Sequence, residues 1–231
     1  MRNAVSLGDG LVVTTDNSGG IGEKSHDLVK VSDQLTAYFA ARVALLEQWA
    51  AQADPIAVLI HNFSGEGSWT QYVEGVEKAF RESNMEPPEI TGSTETNMDL
   101  MQSAVAITMI GKKREVPVTP DLEWYVYGMP LVGDEVLERP GEIASLGLVK
   151  EAMENGCVWQ IWPVGSTGVL SEYRKLTGVP DADIEVDVDV YASAGPATAV
   201  LVGITEGDIE QTRRILGNPL RKIIMTDSSQ S

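Results

Sequence analysis

The sequence predicts an α+β protein with two domains, each built from strands and helices. Two observations indicate this class. Short apolar runs typical of buried strands recur along the chain, and longer segments with apolar residues at helical spacing lie between them. A stretch with Pro and Glu residues, 115–121, separates the two sets, so we place the domains at residues 1–114 and 121–227. With 231 residues, 43% of them hydrophobic, the chain is long enough for one large domain or two small ones.

The first domain is expected to alternate strands with two long helices. It begins with a strand at residues 11–15 (LVVTT), and Ala- and Leu-rich residues 33–53 form the first helix. The buried strand PIAVLIHNF follows. Residues 68–85 form a second amphipathic helix. Two further strands are expected in the segments EITGSTETNM and SAVAITMIGKK.

The second domain repeats this mixture with shorter elements. Helices are expected at residues 141–155, 167–177 and 205–217, and the last has Thr205 as a plausible N-cap and Gly217 at its end. The segment DIEVDVDVYA alternates apolar and acidic residues with a period of two, which predicts a strand with one solvent-exposed face. Other strands are expected in LEWYVYGMPLVG, VWQIWPVG, TAVLVGI and the final LRKIIMTD.

The charge of the chain limits its partners. Lys and Arg total 17 and Asp and Glu total 34, so the net charge is −17. A surface this acidic repels nucleic acid and anionic lipid, so we expect neither as a partner. Phosphate groups would be bound through a metal ion and backbone N–H groups instead. No apolar stretch approaches the roughly 20 residues of a membrane span, and a single cysteine, Cys157, fits a reducing cytoplasm.

Several known catalytic motifs are missing from the sequence. It has no P-loop, no GxSxG and no HExxH motif. With only two histidines, His26 and His61, it cannot form a three-histidine metal site. No catalytic residue or general base can be assigned.

Three carboxylates beside predicted element ends are the candidate functional groups. Asp16 directly follows the first strand, Asp33 stands at the start of the first helix, and Glu95 lies in a polar turn after a strand. A carboxylate at the end of a strand is a suitable ligand for Mg²⁺. Each has an alternative interpretation: Asp16 as a turn former, Asp33 as a helix N-cap, and Glu95 as an ordinary turn residue.

The order and context of these acids resemble a known superfamily. Thr14-Thr15-Asp16, Val31-Ser32-Asp33 and the turn from Gly92 to Thr96 are similar to motifs of aminoimidazole ribonucleotide synthetase, thiamine monophosphate kinase and selenophosphate synthetase, the PurM-like superfamily. Ser93-Thr94 stands where the family has Gly-Gly. In the second half, IWPVGSTGVLSEYRKLTG and ASAGPATAVLVGI resemble the family's glycine-rich turn and strand.

The resemblance implies a fold and a site. The fold is the two-domain PurM-like architecture: an N-terminal ATP-binding half with a mixed sheet and long helices, and a C-terminal α/β sandwich. Asp16, Asp33 and Glu95 would hold Mg²⁺ on the ATP phosphates. Residues that would contact the nucleotide are Asp16, Gly19, Gly20, Lys24 and His26, and Gly22 would help the backbone approach phosphate. A homodimer is also implied.

Within the superfamily, VVTTDNSGGIGEKSHD looks most like the α-ribazole kinase group (α-ribazole-5′-phosphate synthase, CblS). The resemblance therefore implies a kinase that phosphorylates a hydroxyl of a small molecule, α-ribazole in cobalamin salvage. Two alternatives stay open: an ATP-dependent synthetase of the ring-closing type, and a non-catalytic nucleotide-binding module.

Overall fold

The computed structural model describes residues 3–115, 118–217 and 220–226. The chain forms two compact units, one spanning Asn3–Arg114 and the other beginning at Glu115. Residue 227, the end of the second predicted domain and of the last predicted strand, lies outside the described residues. No helix among the described residues is both long enough and apolar enough to span a membrane.

The first unit is built on a five-stranded sheet with the strand order β1-β2-β7-β5-β6. Its strands are β1 (Val5–Ser6), β2 (Leu11–Gly19), β5 (Ala53–Asn62), β6 (Glu89–Thr94) and β7 (Ala104–Lys113), and a separate short pair is formed by β3 (Ile21–Gly22) and β4 (Val29–Lys30). β7 is antiparallel to both β2 and β5, and β5 is parallel to β6. The ends of β2, β5 and β6 therefore meet the start of β7 at one edge, called the carboxyl edge below.

Two helices, α1 (Asp33–Ala50) and α2 (Trp69–Glu82), pack together against this sheet. Val12 and Thr14 of β2 are buried against α1, and the Thr14 hydroxyl donates to the carbonyl of Ala44 at 2.9 Å. The Gln48 amide of α1 lies 3.1 Å from Thr14 Oγ1 and 3.0 Å from the carbonyl of Met109 in β7. These buried polar contacts fix α1 on two neighbouring strands.

The first helix begins where the sequence predicts and ends earlier. Ser32 is its N-cap and accepts a hydrogen bond from the backbone N–H of Leu35 at 3.2 Å. The helix was expected to reach residue 53 but ends at Ala50. Gln52 adopts a left-handed conformation (φ 57°), which turns the chain into β5. Ala53, predicted as helix, is the first residue of that strand.

The second unit contains a four-stranded antiparallel sheet with the order β12-β8-β11-β9, and β10 pairs with β13. Its strands are β8 (Glu123–Tyr127), β9 (Gln160–Pro163), β10 (Asp183–Glu185), β11 (Val200–Ile204), β12 (Arg221–Lys222) and β13 (Ile224–Thr226). Its helices are α3 (Glu135–Glu138), α4 (Leu146–Glu154), α5 (Gly168–Thr177) and α6 (Ile209–Leu216). Trp162, Leu170 and Leu201 belong to a core formed by sheet and helix side chains.

Several predicted elements of this unit differ from the structure. The helix expected at residues 205–217 begins only at Ile209, and the side chain of Thr205 accepts no capping hydrogen bond. The last predicted strand is divided into β12 and β13.

The helix expected at residues 141–155 begins only at Leu146, because Ser145 caps it by accepting a hydrogen bond from Leu148 N at 3.3 Å. The strand expected in DIEVDVDVYA stops at Glu185. Val186, Val188 and Val190 pack against the core from the irregular segment after β10, so the period of two reflects burial of alternate side chains there without strand pairing.

Candidate functional site

Two loops meet at the carboxyl edge of the first unit. The first loop, residues 20–28, follows β2, and the second loop, residues 95–103, precedes β7. Gly20 N donates to the Ser103 carbonyl at 2.8 Å, and Gln102 Nε2 donates to the His26 carbonyl at 2.8 Å. The two loops therefore form one hydrogen-bonded layer over this edge.

Asp27 is the carboxylate that joins these loops. It is buried, and its two oxygens accept hydrogen bonds from Ser103 N (2.7 Å), Ser103 Oγ (2.7 Å) and Lys24 N (2.8 Å). Burial acts to raise the pKa of Asp27, but these hydrogen bonds outweigh it and leave the pKa below its ordinary value. Its lone pairs are directed to structural contacts within the loops.

Asp33 is a carboxylate of a different kind. It is the first residue of α1, is 3% exposed, and has one oxygen, Oδ1, with no hydrogen-bond partner. Burial raises the pKa of Asp33 above its ordinary value, and the nearby charges of Glu23 and Asp27 act in the same direction, against a hydrogen bond with Ser68. Because Ser32 caps the helix, capping does not explain Asp33.

Gly22 lies directly against this carboxylate. A Cβ atom at position 22 would be 2.7 Å from Asp33 Oδ1 and 2.5 Å from Ser103 Oγ, and the residue has φ +151°. Gly20 also has a left-handed φ of +72°, whereas a Cβ at Gly19 would meet nothing within 4 Å. Gly20 and Gly22 are thus needed for the loop conformation. The Gly20 N–H is already used by Ser103.

The charged group of Lys24 is held by the second loop. Its ammonium donates to the Leu100 carbonyl at 2.6 Å and lies 3.6 Å from Asp99 Oδ1. His26 is exposed, and its backbone carbonyl accepts the bond from Gln102. The structure thus places both residues in the first loop, beside the carboxyl edge.

Asp16 lies inside β2, so its expected position after the strand is wrong. Pairing with β7 continues as far as Gly19 opposite Ala104, with Asp16 opposite Ile107. Asp16 is therefore about 10 Å before the end of the strand. Contacts with β7 hold the polar residues after Asp16 in extended conformation despite their preference for turns.

Glu95 follows β6 at the far side of the carboxyl edge. Its carboxylate accepts hydrogen bonds from Asn97 N (2.6 Å) and Met98 N (3.1 Å), which lower its pKa. β6 is three strands away from β2, about 14 Å across the sheet.

Within residues 3–115, 118–217 and 220–226, no group of three or more His, Cys, Asp or Glu side chains is placed to hold a metal ion. The metal roles of Asp16, Asp33 and Glu95 stay predictions.

Polar residues between these carboxylates were not identified from the sequence. Ser64 Oγ lies 2.6 Å from the Tyr72 hydroxyl and donates to the Ala104 carbonyl at 3.3 Å. Burial raises the pKa of Tyr72 to about 12, so the hydroxyl stays protonated. Asp27 and Ser103 were missed as well, because a lone Asp and a lone Ser in loops carry no spacing signal.

The structure is similar to solved structures of three kinds. Thiamine monophosphate kinase from Aquifex aeolicus matches with a TM-score of 0.65 and 12% identity, over 96% of this chain and 86% of the kinase. Hydrogenase maturation protein HypE in complex with ATP matches with a TM-score of 0.61 and 15% identity, over 95% of this chain and 77% of HypE. PurL of T. maritima complexed with AMPPCP matches with a TM-score of 0.58 and 13% identity, over 96% of this chain.

These likenesses confirm the expected PurM-like fold. The chain spans 42% of the length of PurL. No protein-family model matches the sequence, and no curated protein matches it. Membership of the α-ribazole kinase group stays a prediction.

The two glycines at the end of β2 and in β3 give a first test of the site. We expect Gly22→Ala to lower the free energy of unfolding by about 1–3 kcal/mol, because it adds a methyl group against Asp33 and Ser103 in a left-handed conformation. Gly19→Ala, which adds the same group in open space, should change it by less than about 0.5 kcal/mol. Urea denaturation measures both, and equal effects would contradict the packing described here.

Asp27 gives a second test, through pH. Asp27→Asn places amide hydrogens against the donors of Ser103 and Lys24, so we expect a loss of about 1.5–3 kcal/mol at pH 7. The folded pKa of Asp27 lies below its unfolded value of 3.8. Its contribution is therefore fully present above pH 3.8 and is lost as the pH falls through the folded pKa.

The difference between wild type and Asp27→Asn should shrink accordingly in acid, measured by urea denaturation from pH 7 to pH 3. Asp9→Asn is the matched control, since Asp9 is exposed in the same unit. A difference that stays constant over this range would mean that the Asp27 charge does not hold the loops.

Proposed function

We propose that this chain, whose fold is that of the PurM-like superfamily, is a cytoplasmic enzyme that binds ATP with Mg²⁺. The first unit would be the ATP-binding domain, and its carboxyl edge the nucleotide site. The second unit would be the domain that shapes the pocket for a small-molecule substrate. Two of the similar structures contain ATP or the analogue AMPPCP, which supports an ATP-dependent activity.

The observation that carries this proposal is the unpartnered oxygen of Asp33. A buried carboxylate oxygen without a hydrogen bond costs folding free energy, about 1–3 kcal/mol or more for a charged group. Mg²⁺ in nucleotide sites is commonly held by one or two carboxylates together with substrate phosphates. Asp33 Oδ1 therefore fits a magnesium ligand, and Asp16 or Glu95 would supply a second contact.

The residues of this chain would mainly position the reactants. Phosphoryl transfer requires placement and charge neutralisation more than covalent help, and Mg²⁺ supplies the neutralisation when it is bound. Gly22 keeps a Cβ atom away from Asp33 Oδ1. Lys24 lies in the same loop and carries a positive charge that can attract phosphate.

The reaction we favour is phosphorylation of a hydroxyl on a small molecule, with α-ribazole as the acceptor that the sequence resemblance suggests. The similar thiamine monophosphate kinase supports a kinase. An ATP-dependent synthetase is the second candidate, which the similarity to PurL supports. The ring-closing type is the one that the sequence resemblance suggests. A nucleotide-binding module without catalysis is the third.

Asp33→Asn tests the nucleotide site. We expect saturating Mg·ATP to raise the melting temperature of the wild type by about 5 °C or more, and the variant to lose this rise. Since the pKa of Asp33 is raised in the folded state, its ionisation lowers stability as the pH rises above 3.8. The variant without ligand should therefore be at least as stable as the wild type at pH 7.

Differential scanning fluorimetry measures these shifts, with MgCl₂ alone, ATP with EDTA, and Asp9→Asn as controls. Absence of a shift in the wild type at millimolar Mg·ATP would contradict the proposal, as would an equal shift in Asp33→Asn. Release of ADP in the presence of α-ribazole then separates the candidates. Turnover supports the kinase, whereas binding without ADP release across a panel of nucleosides supports the module.

We further propose that the chain forms a homodimer through the face of the sheet opposite α1. Strand alternation places Thr15 on this face, since Thr14 bonds to α1. The hydroxyls of Thr15 and Thr108 lie 3.2 Å apart, and His61 Nε2 lies 3.2 Å from Thr108 Oγ1. Light scattering should give twice the chain mass of 24.9 kDa, and a monomer at micromolar concentration would contradict this.

A further inference from the structure

A groove in the second unit runs along one side of α5. Its volume is about 690 Å³. The lining includes two cations, Arg174 and Lys175, and two hydroxyl groups, those of Thr167 and Ser171. It also includes apolar Leu170 and aromatic Tyr191. None of these residues has a role in the function proposed above.

The charge of the groove is opposite to that of the chain. Asp and Glu outnumber Lys and Arg by 34 to 17 overall, yet no acidic side chain is among the described residues that line the groove. Arg174 and Lys175 line this concave surface instead, and Lys175 forms an ion pair with the buried Glu172 beside it. Such a surface attracts an anion from a protein that otherwise repels it.

A buried carboxylate holds Lys175 in place. Glu172 is 1% exposed, and it accepts hydrogen bonds from Lys175 Nζ (3.0 Å), Thr167 Oγ1 (2.9 Å) and Trp162 Nε1 (2.9 Å). The ammonium of Lys175 also donates to Thr167 Oγ1 at 3.4 Å. It carries three N–H groups, so it can donate the third to a ligand while keeping both contacts. The cation is therefore positioned before any ligand binds.

Arg174 is oriented in a similar way. Its Nε donates to the backbone carbonyl of Ala182 at 2.7 Å. The guanidinium has two further nitrogens with two N–H groups each, in the planar fork that suits phosphate and carboxylate oxygens. Its fixed orientation lowers the conformational entropy lost on binding.

Tyr191 gives the groove an aromatic side. Its side chain is 74% exposed although its backbone N–H is held by Asp189 Oδ1 at 2.9 Å. Leu170, which is buried, provides an apolar floor. A large exposed aromatic ring beside two cations is suited to a ligand that joins a planar ring to an anionic group.

We propose that this groove binds a small molecule that carries a phosphate monoester and a planar ring. Arg174 and Lys175 contact the phosphate, Ser171 donates its hydroxyl, and the ring lies against Tyr191 and Leu170. The site belongs to the second unit alone and does not depend on the nucleotide site at Asp33.

Calorimetric titration with phenyl phosphate tests this site, with inorganic phosphate and phenol as partial probes. We expect saturable binding of phenyl phosphate, stronger than that of either partial probe. Arg174→Gln should weaken binding about tenfold or more, and Tyr191→Ala should reduce the advantage of phenyl phosphate over inorganic phosphate. Arg214→Gln, the same change on an exposed arginine of α6, should have no effect.

Arg174→Gln also removes the bond from Arg174 to the Ala182 carbonyl, so it could weaken binding by disturbing the structure. A second variant separates these two effects. Ser171→Asp introduces a negative charge into the groove while leaving both cations in place, and it should abolish binding with an unchanged circular dichroism spectrum. Asp33→Asn should bind phenyl phosphate like the wild type, which separates this site from the nucleotide site. The proposal is overturned if phenyl phosphate does not saturate in the millimolar range. Equal losses in Arg174→Gln and Arg214→Gln would overturn it too.

Discussion

The contact between Asp27 and Ser103 is the interaction on which the candidate site depends. It joins a loop that follows β2 to the last residue before β7, 76 positions later in the chain. Both loops carry residues that the proposed function uses, and this contact joins them together with the bonds from Gly20 N to the Ser103 carbonyl and from Gln102 to the His26 carbonyl. A charge-assisted hydrogen bond to a buried carboxylate is well suited to the task, because breaking it leaves a charge and two donors unsatisfied.

The two buried aspartates at this edge have opposite electrostatic environments. Asp27 has hydrogen-bond donors for both oxygens, and its pKa is lowered. Asp33 has an oxygen without a partner, and its pKa is raised. A buried carboxylate oxygen without a hydrogen bond lowers stability, and proteins retain such groups at functional sites. A cation that arrives with a ligand would compensate this loss of stability. Proximity along the chain therefore does not imply a shared role.

The sequence predicted most of the fold, whereas the roles that it assigned to the candidate site residues stay predictions. Apolar periodicity located α1, α2 and the long strands of the first unit within a few residues, because burial on one face dictates that pattern. The extension of β2 through Asp16 to Gly19 was missed, since pairing with β7 overrides local preference. Asp27 was missed for a related reason: its importance arises from Ser103, which is distant in the chain and has no recognisable spacing to it.

Gln48 helps to fix the position of α1 along its axis relative to β2 and β7. Its amide is shared between Thr14 on β2 and Met109 on β7, so α1 cannot slide by one turn or rotate without losing both contacts. Because a helix transmits displacement along its axis, this amide fixes the height of Asp33, about 22 Å away at the other end of α1. The position of the candidate ligand is thus determined from a point that no nucleotide would touch.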